Sequence, residues 1–121
     1  MNLKALLAAA LILIAFPVLA HAPKSKHGGR IVAAGNYHVE IVAKDGAIQV
    51  HLIDHNDKAV TVSGYKGVAV LAVDGKSQRI ALEPSGDALL SGKAAGALPT
   101  QPKGVVQITP PDGEVVSAKF D

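Results

Sequence analysis

Residues 37–53 read YHVEIVAKDGAIQVHLI and carry the clearest fold signal of the chain. Apolar and polar residues alternate on both sides of Asp45-Gly46, and a period of two is typical of a half-buried β-strand. Asp-Gly is also a favoured two-residue hairpin turn. With the turn at this dipeptide, Ile41 pairs with Val50, and the apolar residues of both strands fall on one side. The segment therefore predicts an antiparallel β-hairpin in a defined register.

The rest of the chain repeats this pattern with weaker phasing. Short apolar runs predict further strands at residues 59–63, 68–73, 78–82, 89–90, 105–108 and 115–120. Asp74-Gly75 predicts a second hairpin, and residues 83–87 predict a turn because proline and glycine interrupt a strand ladder. Residues 92–104 are rich in glycine, alanine and proline and predict a long surface loop. We therefore expect an all-β fold, a small antiparallel β-sandwich or barrel of seven to eight strands.

The N-terminus has the three parts of a cleavable secretory signal peptide: a basic start, a short apolar run and small residues. Cleavage after Ala22 would place Pro23 next to the scissile bond, where its ring hinders the peptidase, so we expect cleavage after Ala20. The predicted organisation is a signal peptide (1–20), a flexible N-terminal arm (21–35) and a β domain (36–121). The mature protein is expected to be periplasmic or secreted, with no membrane span.

The amino-acid composition of the chain argues against several classes of function. The chain has 12 Lys and Arg against 10 Asp and Glu, and no basic cluster, so we expect no nucleic-acid interface. It has no cysteine, so a metal site would use imidazole, carboxylate or backbone donors. No serine lies in a nucleophile-elbow frame and no glycine-rich loop has a phosphate-binding pattern. We therefore expect no enzymatic activity.

Histidines near the first hairpin suggest a metal site. In the predicted register, His38, Glu40 and His51 project from the face opposite the apolar one. Glu40 then lies directly across from His51, at about 4.5–5.5 Å between Cβ atoms, with His38 diagonal to it at about 7–8 Å. Side chains at these separations can share one ion through bonds of about 2.0–2.2 Å. His27, beside two glycines, and His55, in the turn after the second strand, add two donors, and the set suits Cu²⁺ or Zn²⁺.

Each of these residues also has an ordinary structural interpretation. A histidine opposite a glutamate is a reasonable cross-strand pair. His55 can shape its turn through local hydrogen bonds, and His27 can belong to a solvated tail. His21, as the first residue after cleavage, would offer an amine and an imidazole to Cu²⁺, or its position is an accident of the cleavage boundary.

Four short segments carry a resemblance to a known family: HGG at 27–29, GNYHVE at 35–40, IDHNDK at 53–58 and LEPSGDAL at 82–89. They resemble a small periplasmic module associated with heavy-metal efflux. Such modules occur as secreted single-domain proteins and beside the adaptor, or membrane-fusion, subunits of three-component metal exporters. The resemblance covers residues 26–92. It implies metal handling and an efflux adaptor or other envelope protein as partner. It also implies ligand roles for five residues: His27, His38, Glu40, His51 and His55.

Two functions are consistent with the sequence. The first is a divalent transition-metal-binding protein that acts as a carrier, a buffer or an accessory to metal export. The alternative is a non-metal interaction module that contacts an envelope protein through an exposed strand edge or face. Histidine ligation predicts that metal binding weakens below about pH 6, because the imidazole must be neutral to coordinate.

Overall fold

The computed structural model describes residues 24–121, and the predicted signal peptide, both cleavage sites and His21 lie outside the described residues. The described chain forms eight strands: β1 (Arg30–Ala34), β2 (Tyr37–Lys44), β3 (Ala47–Ile53), β4 (Lys66–Val73), β5 (Lys76–Ser85), β6 (Leu89–Lys93), β7 (Gly104–Thr109) and β8 (Val116–Phe120). The predicted all-β class is confirmed. Within this range, no helix is long and apolar enough to cross a membrane.

The eight strands form one antiparallel sheet in the order β1-β2-β3-β6-β5-β4-β7-β8. The sheet curls until β1 lies against β8, which gives a nearly closed barrel. Arg30 on β1 stabilises this contact. Its guanidinium donates to the main-chain oxygens of Asp121 at 2.6 Å and Pro102 at 3.1 Å. The same guanidinium lies 5.9 Å from the centre of the Phe120 ring.

The register predicted for the first hairpin is confirmed. β2 and β3 pair Ile41 with Val50 and Glu40 with His51. The turn residues Asp45 and Gly46 both have positive φ, at 53° and 74°, as a two-residue hairpin turn of this type requires. The register therefore sends one set of side chains into the barrel and the other set outward.

The barrel interior is filled almost entirely by aliphatic side chains. Branched aliphatic residues from β2 to β7 contribute to it, and β8 adds Ala118 and Phe120. The buried core-facing residues of the first hairpin are Val39, Ile41, Ile48, Val50 and Leu52. Because these residues face inward, their alternating neighbours on β2 and β3 face outward.

Four predicted segments differ from the structure. Residues 30–34 were assigned to the arm, but they form β1 and pair with β2, so the β domain begins at Arg30. This strand lies at the sheet seam and buries only Ala34, which explains its weak sequence signal. Residues 59–63 form no strand, and Ala59 makes only an isolated bridge to Ile53. That segment is held instead by single backbone bonds, such as that from Val62 N to Asp87 O.

The predicted turn at residues 83–87 is also wrong in part, because β5 continues through Ser85. Pro84 is tolerated there because its pairing with β4 has already ended at Leu82, and only β6 lies beside it. Likewise, residues 92–93 belong to β6 and Gly104 begins β7, so the predicted loop shortens to residues 94–103.

Candidate functional site

The outward face of the first hairpin carries the predicted site residues. His38 and Glu40 on β2, and His51 on β3, alternate with core residues and therefore point away from the barrel interior. His38 pairs with Ile53 and so lies diagonal to His51, as predicted. Residues 24–29, the described part of the predicted N-terminal arm that precedes β1, lie across this face. From here on, the arm means residues 24–29.

Glu40 is the anchor of the arm. Its side chain is completely buried, although it points away from the core. One carboxylate oxygen, Oε2, accepts hydrogen bonds from Ser25 Oγ at 2.7 Å and from the backbone N–H groups of His27 and Gly29, both at 2.9 Å. The other, Oε1, accepts from Lys26 N at 3.1 Å and from His27 Nδ1 at 2.9 Å. Five donors of the arm therefore converge on one carboxylate.

These hydrogen bonds fix the ionisation of Glu40. Burial alone would raise the pKa of the carboxyl group, but the donors from His27, Ser25 and Gly29 outweigh it and lower the pKa from 4.5 to about 2. A carboxylate that accepts several N–H bonds is stabilised in its charged form. Glu40 is therefore an anion at neutral pH.

His27 stacks on His51 above this carboxylate. The two rings are parallel within 5°, with centroids 3.6 Å apart. His51 is nearly buried, and burial, followed by the neighbouring His27, lowers its pKa below 6.5, while Glu40 acts in the opposite direction. Because the rings are parallel, their in-plane nitrogen lone pairs also lie in parallel planes. In this arrangement the two imidazoles do not converge on one ion.

The two glycines after His27 serve different purposes. Gly28 has a φ of +77°, a backbone conformation that costs little only for glycine. Gly29 passes so close to β2 that a Cβ there would lie 2.2 Å from the carbonyl oxygen of Ile41. The His-Gly-Gly sequence therefore lets the arm bend and then lie flat against β2, where its N–H groups reach Glu40.

The arm is also attached to the turn that follows β3. Lys26 Nζ donates to the carbonyl oxygen of Asp57 at 2.6 Å and lies 3.2 Å from Asp57 Oδ2. Asp54 Oδ1 organises this turn by accepting from Asn56 N at 2.9 Å and from Lys58 N at 3.0 Å. The arm therefore links the buried carboxylate on β2 with the exposed turn of residues 54–58.

His55 projects from that turn towards His38. The two rings are nearly perpendicular, at 81°, and their centroids are 6.2 Å apart. His38 is half-buried and His55 is exposed, so this pair is open to solvent, whereas His51 of the stacked pair is buried. The pair combines one ligand candidate from a rigid strand with one from a turn.

The five predicted residues thus form two sub-clusters. His27, Glu40 and His51 make the arm clamp, and His38 with His55 makes the open pair. Within residues 24–121, no three His, Asp or Glu side chains form a group that could hold a metal ion. Sequence reasoning missed the donors Ser25, Lys26 and Gly29, because nothing local indicates that this segment folds back on a residue 11–15 positions away.

Comparisons with protein-family models, with curated proteins and with solved structures find no match to this chain. The resemblance to a heavy-metal efflux module therefore stays a prediction.

Proposed function

We propose that this protein is an exported, periplasmic protein that binds a divalent transition metal, Cu²⁺ or Zn²⁺, with His38 and His55 as its first two ligands. The observation that carries the proposal is the separation of the two rings. Two imidazoles that share one ion through bonds of about 2.0–2.1 Å have centroids that range from roughly 5 Å apart at a tetrahedral N–metal–N angle to about 6.4 Å apart when the two nitrogens are trans. The observed 6.2 Å lies in this range.

The open pair fits an ion better than the arm clamp does. Glu40 already accepts five hydrogen bonds, and a metal would have to displace arm donors to reach its oxygens. The stacked rings of His27 and His51 present their lone pairs in parallel planes. In this proposal the clamp holds the arm, and Lys26 of the arm steadies the turn that presents His55. Metal ligands are commonly oriented by such supporting contacts.

The remaining coordination positions belong to water or to an added donor. If cleavage follows Ala20, the new N-terminal residue His21 lies only a few positions before the arm. Its amine and imidazole would then complete a nitrogen-rich site of the kind that favours Cu²⁺. Two to four nitrogen ligands and an exposed ion suit a carrier, a buffer or an accessory to metal export, because an open site can release its ion.

The test is metal titration of the mature protein, by native mass spectrometry and by isothermal calorimetry, with Zn²⁺ and Cu²⁺. We expect one ion per chain at low micromolar concentration. His38→Ala and His55→Ala should each weaken binding at least tenfold, the usual size of a lost ligand or ligand support. Gln49→Ala, a polar residue on the same hairpin, should leave the affinity unchanged.

Two results would contradict this proposal. Weak and nonstoichiometric adducts of the wild-type protein would remove the metal function altogether. Stoichiometric binding that survives both histidine substitutions would keep the function but reject this location. A bound ion should also raise the melting temperature relative to protein in chelator, because it binds only the native state.

A further inference from the structure

The outer face of β4 carries a second surface feature, three strands along the sheet from the first hairpin. Alternate residues of β4 are buried, so Val68, Val70 and Ala72 point outward. Val70 keeps 38% of its surface exposed, and it is one of two large apolar residues exposed to this extent within residues 24–121.

The register places this valine in an ordered row across four strands. Val70 pairs with Arg79 of β5 on one side and with Val105 of β7 on the other. Val105 in turn pairs with Lys119 of β8. Two apolar residues therefore lie side by side, with a cation at each end, in what we term the Arg79–Lys119 row. The cations themselves are exposed.

The neighbouring rows show that this pattern is local. The next row contains Ala81, Val68, Gln107 and Ser117, and it carries no charge. On the other side, a shallow cleft of about 350 Å³ has Val70, Ala72 and Val105 in its lining, together with the charged residues Lys103, Lys119 and Asp121. Within residues 24–121, neither Arg79 nor Lys119 is in an ion pair. The row therefore presents two available positive charges around an apolar centre.

We propose that the Arg79–Lys119 row binds an extended acidic segment of a partner protein. Its two outer residues lie three strand spacings apart, which is about 14 Å. An extended chain advances about 3.3 Å per residue, so residues i and i+4 lie about 13 Å apart. Residues i, i+2 and i+4 also point to the same side. A segment with carboxylates at i and i+4 and an apolar residue at i+2 therefore matches the row.

The chemistry of the row favours a protein segment over a membrane surface. The valines lie nearly flush with the sheet, and the row contains no aromatic residue of the kind that anchors a protein at a lipid interface. The charges also mark two separated points, which a partner of defined geometry can match. This surface is distinct from the proposed metal ligands on the first hairpin, so the two proposals stand or fall separately.

The test uses fluorescently labelled peptides and the mature protein at low ionic strength. The probe is Ser-Glu-Thr-Val-Thr-Glu-Ser, and we expect weak, saturable binding that added salt reduces. The double variant Arg79→Glu, Lys119→Glu should bind it at least about tenfold more weakly, because two exposed ion pairs become two repulsions. The control variant Lys44→Glu, Lys93→Glu makes the same change in net charge elsewhere and should keep the wild-type affinity within about twofold.

A charge-swapped peptide, Ser-Lys-Thr-Val-Thr-Lys-Ser, provides the rescue. It should bind the Arg79→Glu, Lys119→Glu variant better than it binds the wild type, and an unchanged circular dichroism spectrum would show that the variant is folded. A probe with its glutamates two residues apart should bind the wild type more weakly than the four-residue spacing does. Equal binding to the row variant and to the control variant would overturn the proposal. Binding of anionic phospholipid vesicles with no binding of any peptide would also overturn it.

Discussion

Two pairs of histidines lie on the same hairpin face and have opposite surroundings. His27 of the arm stacks in parallel on the buried His51, beside a carboxylate that accepts five hydrogen bonds. His38 and His55 meet at nearly a right angle, open to solvent. The two pairs therefore differ in ring orientation and in exposure, although all four residues are histidines. For metal binding, we expect the directions of the nitrogen lone pairs and the hydrogen bonds already present to matter as much as the residue type.

The arm clamp is where the largest effects on folding are expected. Its carboxylate is buried and charged, and a buried charge is tolerated only when it is fully hydrogen-bonded. Glu40 meets this condition through donors of the arm, three of which are backbone N–H groups. We expect His38 and His55 to contribute much less to folding stability than Glu40 does. Substitutions in the two regions should therefore separate loss of stability from loss of metal binding.

The largest effect is expected for Glu40→Ala. It removes the common acceptor of five arm donors, and we expect it to lower the free energy of unfolding by about 3 kcal/mol. Urea denaturation at neutral pH measures this change. Glu83→Ala, an exposed glutamate on β5, is the matched control and should cost less than about 0.5 kcal/mol. Equal midpoints for the two variants would show that Glu40 is not an anchor.

Acid should destabilise the arm clamp over a defined pH range. The pKa of Glu40 is about 2 in the folded protein and 4.5 ordinarily, so between these values the unfolded state binds more protons. Stability due to Glu40 is therefore complete above about pH 4.5 and is lost as the pH falls towards 2, by roughly 2–3 kcal/mol. Urea midpoints measured across this range should fall in the wild type. The decline should be much shallower in Glu40→Gln, and parallel declines would contradict the assigned ionisation.

A smaller effect is expected at the two glycines of the arm. Gly29→Ala forces a methyl group into the backbone of β2 at Ile41, and we expect it to cost about 2 kcal/mol as the arm shifts. Gly28→Ala meets no atom but keeps a positive φ, which costs about 1 kcal/mol. Hydrogen exchange of arm amides should therefore accelerate more in Gly29→Ala. The reverse order would mean that the arm does not rest on β2.

The first hairpin was predictable because its signals are local. Period-two alternation and an Asp-Gly turn set the register, and the register placed Glu40 opposite His51. The turn predicted at residues 83–87 was wrong in part because of Pro84. Proline excludes a strand only where a neighbouring strand needs its N–H group as a donor. Residues 59–63 alternate like a strand but have no partner strand along their length.

The candidate site was predictable only in part. The sequence indicated which side chains share the face, but not that the arm would occupy the carboxylate. The bonds from Ser25 and Gly29 to Glu40 span 15 and 11 positions and leave no periodic trace. The same applies to the link from Lys26 to Asp57, which joins the arm to the turn carrying His55. Such contacts depend on how the chain packs, and no local pattern encodes them.

We propose that the open pair binds the metal while the arm stays hydrogen-bonded to Glu40. The most direct measurement is a long-range ¹H–¹⁵N correlation spectrum of the imidazole rings before and after one equivalent of Zn²⁺. We predict that the ring nitrogens of His38 and His55 shift, while those of His27 and His51 stay in place and the Gly29 amide remains protected. Shifts at His27 and His51 with loss of Gly29 protection would instead show that the metal displaces the arm and takes Glu40.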